Sequence, residues 1–248
     1  MAGRQPTRLR GDSAALEAVT VAARGTSNSE PTRQRLRTAA TQVLGTEGIA
    51  GLSARVIADR AGVNQALIFY HFGSVGQLVD VACRNAADAS VEDYRSRLAN
   101  VNSFVELLAL GRQLHDQERA IGNVAIMAQL MAGGQQDEQL AATARYCLTR
   151  WHVEIETTVR RLLAGSPLAL VAEPAAVARA VSAGFLGLEL YEGIDPEGAH
   201  QALDSIERLG ALVEVIDELG PVARRALRAK LRRRREHPSR PVVPDPHR

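Results

Sequence analysis

Cysteine is almost absent: Cys83 and Cys147 are the only two in 248 residues, with no CxxC pair and no neighbouring histidine pair. That excludes a disulfide framework and a zinc site of the usual spacing, so both thiols read as small buried apolar side chains. Aromatic residues make up only 4%, and runs of Val, Ile and Thr at alternating spacing are nearly missing, which argues against strands. No apolar run reaches signal-peptide length near the N-terminus or the roughly 18 to 20 residues needed to span a bilayer. The expectation is therefore a cytoplasmic protein with no membrane insertion. Paired carboxylates, a nucleophile with its base and a glycine-rich phosphate loop are also lacking, so no enzyme is expected and no cofactor. His115 and His152 have no metal-ligand spacing with a nearby carboxylate, and no metal site is expected.

What is present is hydrophobic residue, 46% of the chain, dominated by Ala and Leu. This points to an all-α fold long enough for one or two domains and a sizeable core. The net charge of +2 conceals an uneven distribution. Residues 1 to 98 carry twelve basic and nine acidic side chains, residues 99 to 220 carry eight and seventeen, and residues 221 to 248 carry ten and two. The two ends can meet a polyanion and the acidic middle cannot.

The stretch Leu52 to Val81, LSARVIADRAGVNQALIFYHFGSVGQLVDV, organises the rest. Val56, Ile57, Ala61 and Val63 can close a small core, and Gly62 supplies the positive φ that a sharp interhelical turn requires. The short element from Gln65 to His71 would turn Leu67, Ile68 and Phe72 inward. Asn64, Gln65, Ala66, Tyr70 and His71 then face outward, as a helix entering a DNA groove would present them. The pattern predicts a helix-turn-helix. From about Thr32 to Ala86 the chain resembles the N-terminal DNA-binding domain of the tetracycline-repressor (TetR) family of bacterial transcriptional regulators. The residues that carry the resemblance are the helix TRQRLRTAATQVLGTEGIAGLS, the turn IADRAGV and the run IFYHF followed by GSVGQL.

Within this domain Gln65 can read an adenine edge, Ala66 can touch a thymine methyl, and Asn64 sits at the turn. Ser53 is a natural N-cap that can also meet a phosphate, and Arg55 one turn later is the better electrostatic contact. The resemblance implies backbone or base-edge contacts for Tyr70 and His71, and phosphate contacts for Arg33 and Arg37, which otherwise read as a solvated helix face. Many relatives carry a lysine after the aromatic run, where this chain has Gly73-Ser74-Val75-Gly76-Gln77. Ser74 and the free N–H groups of that helix start are then the remaining phosphate ligands.

Four segments follow. Residues 1–30 read as a mobile N-terminal arm, with a short helix around Ala14 to Arg24 as an option; Arg4, Arg8 and Arg10 suit either a minor-groove arm or a solvated leader. Residues 31–85 are the helix-turn-helix domain, opening on a helix with Thr32 as its cap, and residues 86–219 are a helical regulatory and dimerisation domain. In that domain Phe104, Leu108, His115, Met127, Met131, Tyr146, Trp151 and Phe185 are the bulky or adaptable groups from which a ligand pocket would be built, with ordinary core as the competing reading. Helices from Pro174 to about Tyr191 and from about Glu197 to Leu219 resemble the dimerising pair of the family. Residues 220–248 form an Arg-rich helix and a Pro-rich tail expected to be disordered, the helix being open to reading as a DNA clamp, a membrane-surface helix or a solvated end. The resemblance implies a homodimeric regulator of double-stranded DNA operators, usually a repressor released by a small-molecule effector. The alternative is a DNA-binding regulator with no such effector, controlled by a protein partner or by abundance.

Overall fold

The computed structural model describes residues 12–236, which form ten α-helices and, among the described residues, no strand. No single helix among them is long and apolar enough to cross a membrane. The chain divides into two units between Ala82 and Cys83.

In the first unit α1 (Asp12–Glu47) buries Leu36, Ala39, Ala40, Val43 and Leu44, the three-and-four spacing of one helix face. It is followed by a 3₁₀ turn (Ile49–Gly51), α2 (Ala54–Ala61), α3 (Ala66–Phe72) and the start of α4 (Val75–Ala99). Ile57 and Ala58 of α2, Ile68 and Phe72 of α3, and Leu78 and Val79 of α4 complete the buried set. Arg60 ties the end of α2 to α1 through Glu47 at 2.5 Å and Thr46 at 3.1 Å.

The sequence places the start of the first helix at Pro31, whereas α1 runs back to Asp12 with Pro31 inside it. The run SAALEAVTVAA is rich in strong helix formers, and proline's fixed φ suits a helix even though its missing N–H removes one bond. Thr32 is consequently not a cap. It is buried within α1 and accepts from the Arg35 guanidinium at 3.4 Å. Arg4, Arg8 and Arg10 of the expected arm lie outside the described residues, as does the tail after Glu236.

The second unit contains the rest of α4, then α5 (Phe104–Ile121), α6 (Asn123–Gly133), α7 (Glu138–Leu163), α8 (Pro174–Glu192), α9 (Pro196–Asp217) and α10 (Pro221–Glu236), with a 3₁₀ turn over Pro167–Leu170. Helix α7 packs along α6 and α8, and α9 packs along α5 and α8. Tyr94, Leu98, Val101, Leu107, Val159 and Leu163 form one buried cluster, flanked by Trp151 and Ile155. Acidic caps begin three of these helices: Asp137 accepts from the N–H groups of Gln139 and Leu140, Glu173 from Ala175 and Ala176, and Asp195 from Gly198. Both cysteines are buried and neither forms a disulfide.

Candidate functional sites: the helix-turn-helix and an apolar cavity

Gly62 ends α2 in the left-handed region at φ 64°, and its N–H bonds back to Ala58 and Asp59. The turn hands the chain to α3, which buries Ile68 and Phe72 and leaves Asn64, Gln65, Ala66, Phe69 and Tyr70 exposed. Tyr70 is 80% exposed and Phe69 52%. Phe69 was not among the residues singled out from sequence. Its signal is helical spacing, since it follows Gln65 by four residues and stands beside Tyr70. The His71 ring meets Tyr70 edge-on at 4.8 Å.

Asn64 accepts from the Ala66 N–H at 2.8 Å and so shapes the start of α3. Ser53 caps α2 by accepting from Val56, and Ser74 accepts from Gln77 at the start of α4. Each of these side chains fixes a helix end whose remaining N–H groups favour an anion. Arg55 is exposed, in a loose contact of 3.8 Å with Asp59. Arg37 is instead engaged by Glu30 and Gln34, both at 2.6 Å, and Arg33 lies over the Phe72 ring at 5.3 Å while facing Glu30. The Arg37 hydrogen bond, with the charges of Arg37, Arg33 and His71, holds the Glu30 carboxyl below its ordinary range.

In the second unit a cavity of about 610 Å³ opens among α4 to α9. Its wall is mostly apolar and includes Phe104, Leu108, His115, Met127, Trp151 and Phe185 of the residues named from sequence. Met131 and Tyr146 are not on it: Met131 is exposed, and the Tyr146 hydroxyl donates to Asp88. That bond is the main reason the Tyr146 phenol is pushed above its ordinary value. The polar lining is sparse, chiefly Ser90, His115, Glu118, Asn123 and Ser182, and contains no Arg or Lys among the described residues.

Both nitrogens of His115 face carboxylates, Nδ1 toward Glu189 and Nε2 toward Glu192 at 2.6 Å. Residue spacing could not reveal this set, because the partners come from α8 rather than from the helix of His115. These three are the group among the described residues whose donor atoms lie close enough to hold a metal ion. The two imidazole nitrogens point from opposite edges of the ring, however, so one ion can reach only one of them in this arrangement.

On α9, Ile206, Leu209, Leu212 and Val215 are exposed, and on α8 so are Leu190 and Tyr191. Gly187 of α8 faces open space where a side chain would point, while the open space at Gly184 adjoins the cavity.

Residues 36–82 match the family described as bacterial regulatory proteins, tetR family. An uncharacterised HTH-type transcriptional regulator of Mycobacterium tuberculosis is 24% identical over 168 residues, covering 68% of this chain and 86% of that protein. A protein described as a TetR-family regulator from Rhodococcus sp. shares the fold at a TM-score of 0.60 and 23% identity, over 73% of this chain and 98% of that one. A transcriptional regulator from Saccharomonospora viridis, solved in complex with choline, shares it at 0.57 and 16%, over 83% and 96%. Residues 36–82, which hold the helix-turn-helix, are therefore similar to the tetR family of bacterial regulatory proteins, and the chain shares the fold of solved regulators of that kind.

Proposed function

We propose that the chain is a homodimeric repressor acting in the cytoplasm, which reads an operator through α3 and is released from it by a small molecule bound in the second unit. The observation that carries the reading is the apolar cavity of about 610 Å³, within the size range of small-molecule sites. Helix α4 contributes Ser90 and Tyr94 to that cavity and Leu78 and Val79 to the core of the first unit. A ligand that favours one position of α4 therefore biases the first unit as well, provided it binds the two states with different affinity. The S. viridis relative, with its bound choline, supports a small-molecule effector. Exposed Leu212 and Val215 of α9 and the bare Gly187 of α8, none of which lines the cavity, support a two-fold partner, and two half-sites give the contact area that one short helix lacks.

In this reading Gln65, Ala66, Phe69 and Tyr70 meet the groove, while Ser53, Arg55, His71 and Ser74 meet backbone, with Asn64 ordering the turn. Arg33 and Arg37 contribute only by exchanging Glu30 for phosphate. The test is binding to the intergenic DNA beside the protein's own gene, with Gln65→Ala and Tyr70→Ala combined. The expected result is loss of sequence-selective binding with the weak, salt-sensitive background retained. Undiminished selectivity would remove α3 from the reading role.

A further inference from the structure

We propose that the cavity takes an amphipathic organic cation, an apolar body carrying one protonated amine or quaternary ammonium, and that the Glu118 carboxylate meets its charge. This rests on the reading of the cavity as the effector site and narrows it to a ligand class.

Glu118 on α5 lines the cavity and is only 7% exposed. Its carboxylate is gripped from two other helices. Oε1 accepts from the Ser90 hydroxyl of α4 at 2.7 Å, and Oε2 accepts from the Asn123 amide of α6 at 2.6 Å. Both donors are neutral, and no Arg or Lys is paired with Glu118 among the described residues. Three cationic or titratable side chains of α4 and α5, among those described, are engaged elsewhere. Arg112 bridges to Asp204 and Glu207, Arg97 reaches Gln113, Gln117 and the Tyr94 ring, and His115 faces Glu189 and Glu192. A carboxylate withdrawn from water is stabilised by a charged partner, and two neutral donors supply only part of that. An ionised carboxylate offers roughly four lone-pair positions, so two hydrogen bonds leave room for a third donor arriving from the cavity.

The rest of the wall selects what carries the charge. Leu107, Leu114, Met127 and Phe185 accept an apolar body, and the Trp151 ring adds a surface that favours a cation over a neutral group. An anionic ligand would find a carboxylate and no lining Arg or Lys among the described residues.

The experiment is calorimetric titration of the full-length chain with three probes of one apolar skeleton: phenylbutylamine, phenylbutanol and phenylbutyrate. The amine should bind about tenfold to a hundredfold tighter than the alcohol, the span of a charge-assisted hydrogen bond, with phenylbutyrate weakest. In Glu118→Gln, which keeps groups able to bond with Ser90 and Asn123, the amine should fall to the affinity of the alcohol while the alcohol is unchanged. Equal binding of amine and alcohol to the wild type overturns the cationic class and leaves the effector cavity standing. An amine preference that survives in Glu118→Gln overturns the role of this carboxylate. Binding of none of the three overturns the effector reading together with the inference. Should Glu118→Gln lower the melting temperature, the wild-type comparison still decides the charge class.

Discussion

His152 on α7 shows how a single side chain sets a pH dependence. It is half-buried, and desolvation, followed by the positive charge of Arg179, pushes its imidazole below the ordinary histidine value. The folded chain thus holds this proton less tightly than the unfolded chain, whose histidines titrate near about 6.5. As pH falls through that value the unfolded state is protonated first and gains, so the penalty is absent above it and grows below it. A His152→Asn variant should therefore lose less melting temperature than the wild type between about pH 7 and pH 5. Parallel melting profiles over that window would show that His152 contributes nothing to the acid response.

At the scale of elements, helix starts carry the clearest local chemistry. Asp137 satisfies two N–H groups at the head of α7, at 2.8 and 3.1 Å, and places a negative charge at the positive end of a helix of 26 residues. Asp137→Ala should cost about 1 kcal/mol, with Asp137→Ser retaining most of the stability. The check is a lower urea midpoint at unchanged slope. Such starts are legible in the sequence: α8 begins at the expected Pro174 and α9 close to the expected Glu197, because caps and prolines act within a few residues. Less legible was the start of α1, where a proline that usually marks a boundary lies inside a helix extended by alanine-rich sequence. In α3, seven residues give too few turns for periodicity to settle which aromatics face outward, so the sequence points to Tyr70 and not to the likewise exposed Phe69. Most of the named pocket residues do line one cavity, since bulky apolar groups on amphipathic helices turn inward. The grip of Ser90 and Asn123 on Glu118, and that of Glu189 and Glu192 on His115, depend on which helices become neighbours. No spacing along one helix encodes that.

For the whole molecule the question is whether the chain works as one copy or two. Helix α9 has an inward side fixed to the second unit: Ala199 is buried, Gly210 faces the Leu108 side chain, and Arg112 of α5 holds Asp204 and Glu207, each at 2.8 Å. The Arg112 hydrogen bond is also the main cause that keeps the Asp204 carboxyl below its ordinary value. Leu212 and Val215 are exposed and do not line the cavity. Such apolar side chains in a row cost stability in water and gain it when a second copy covers them. Leu212→Glu combined with Val215→Glu should leave helix content intact, because the inward anchors are untouched. It should also convert a dimer into a monomer in sedimentation at micromolar concentration. Operator affinity should then fall by roughly a hundredfold, since the second half-site is no longer held at high effective concentration. With few cations free among the described side chains of the first unit, a lone copy has little phosphate affinity there to offset that loss. A wild-type chain that sediments as a monomer, or a variant that stays dimeric with full operator affinity, would exclude this face of α9 as the dimer contact.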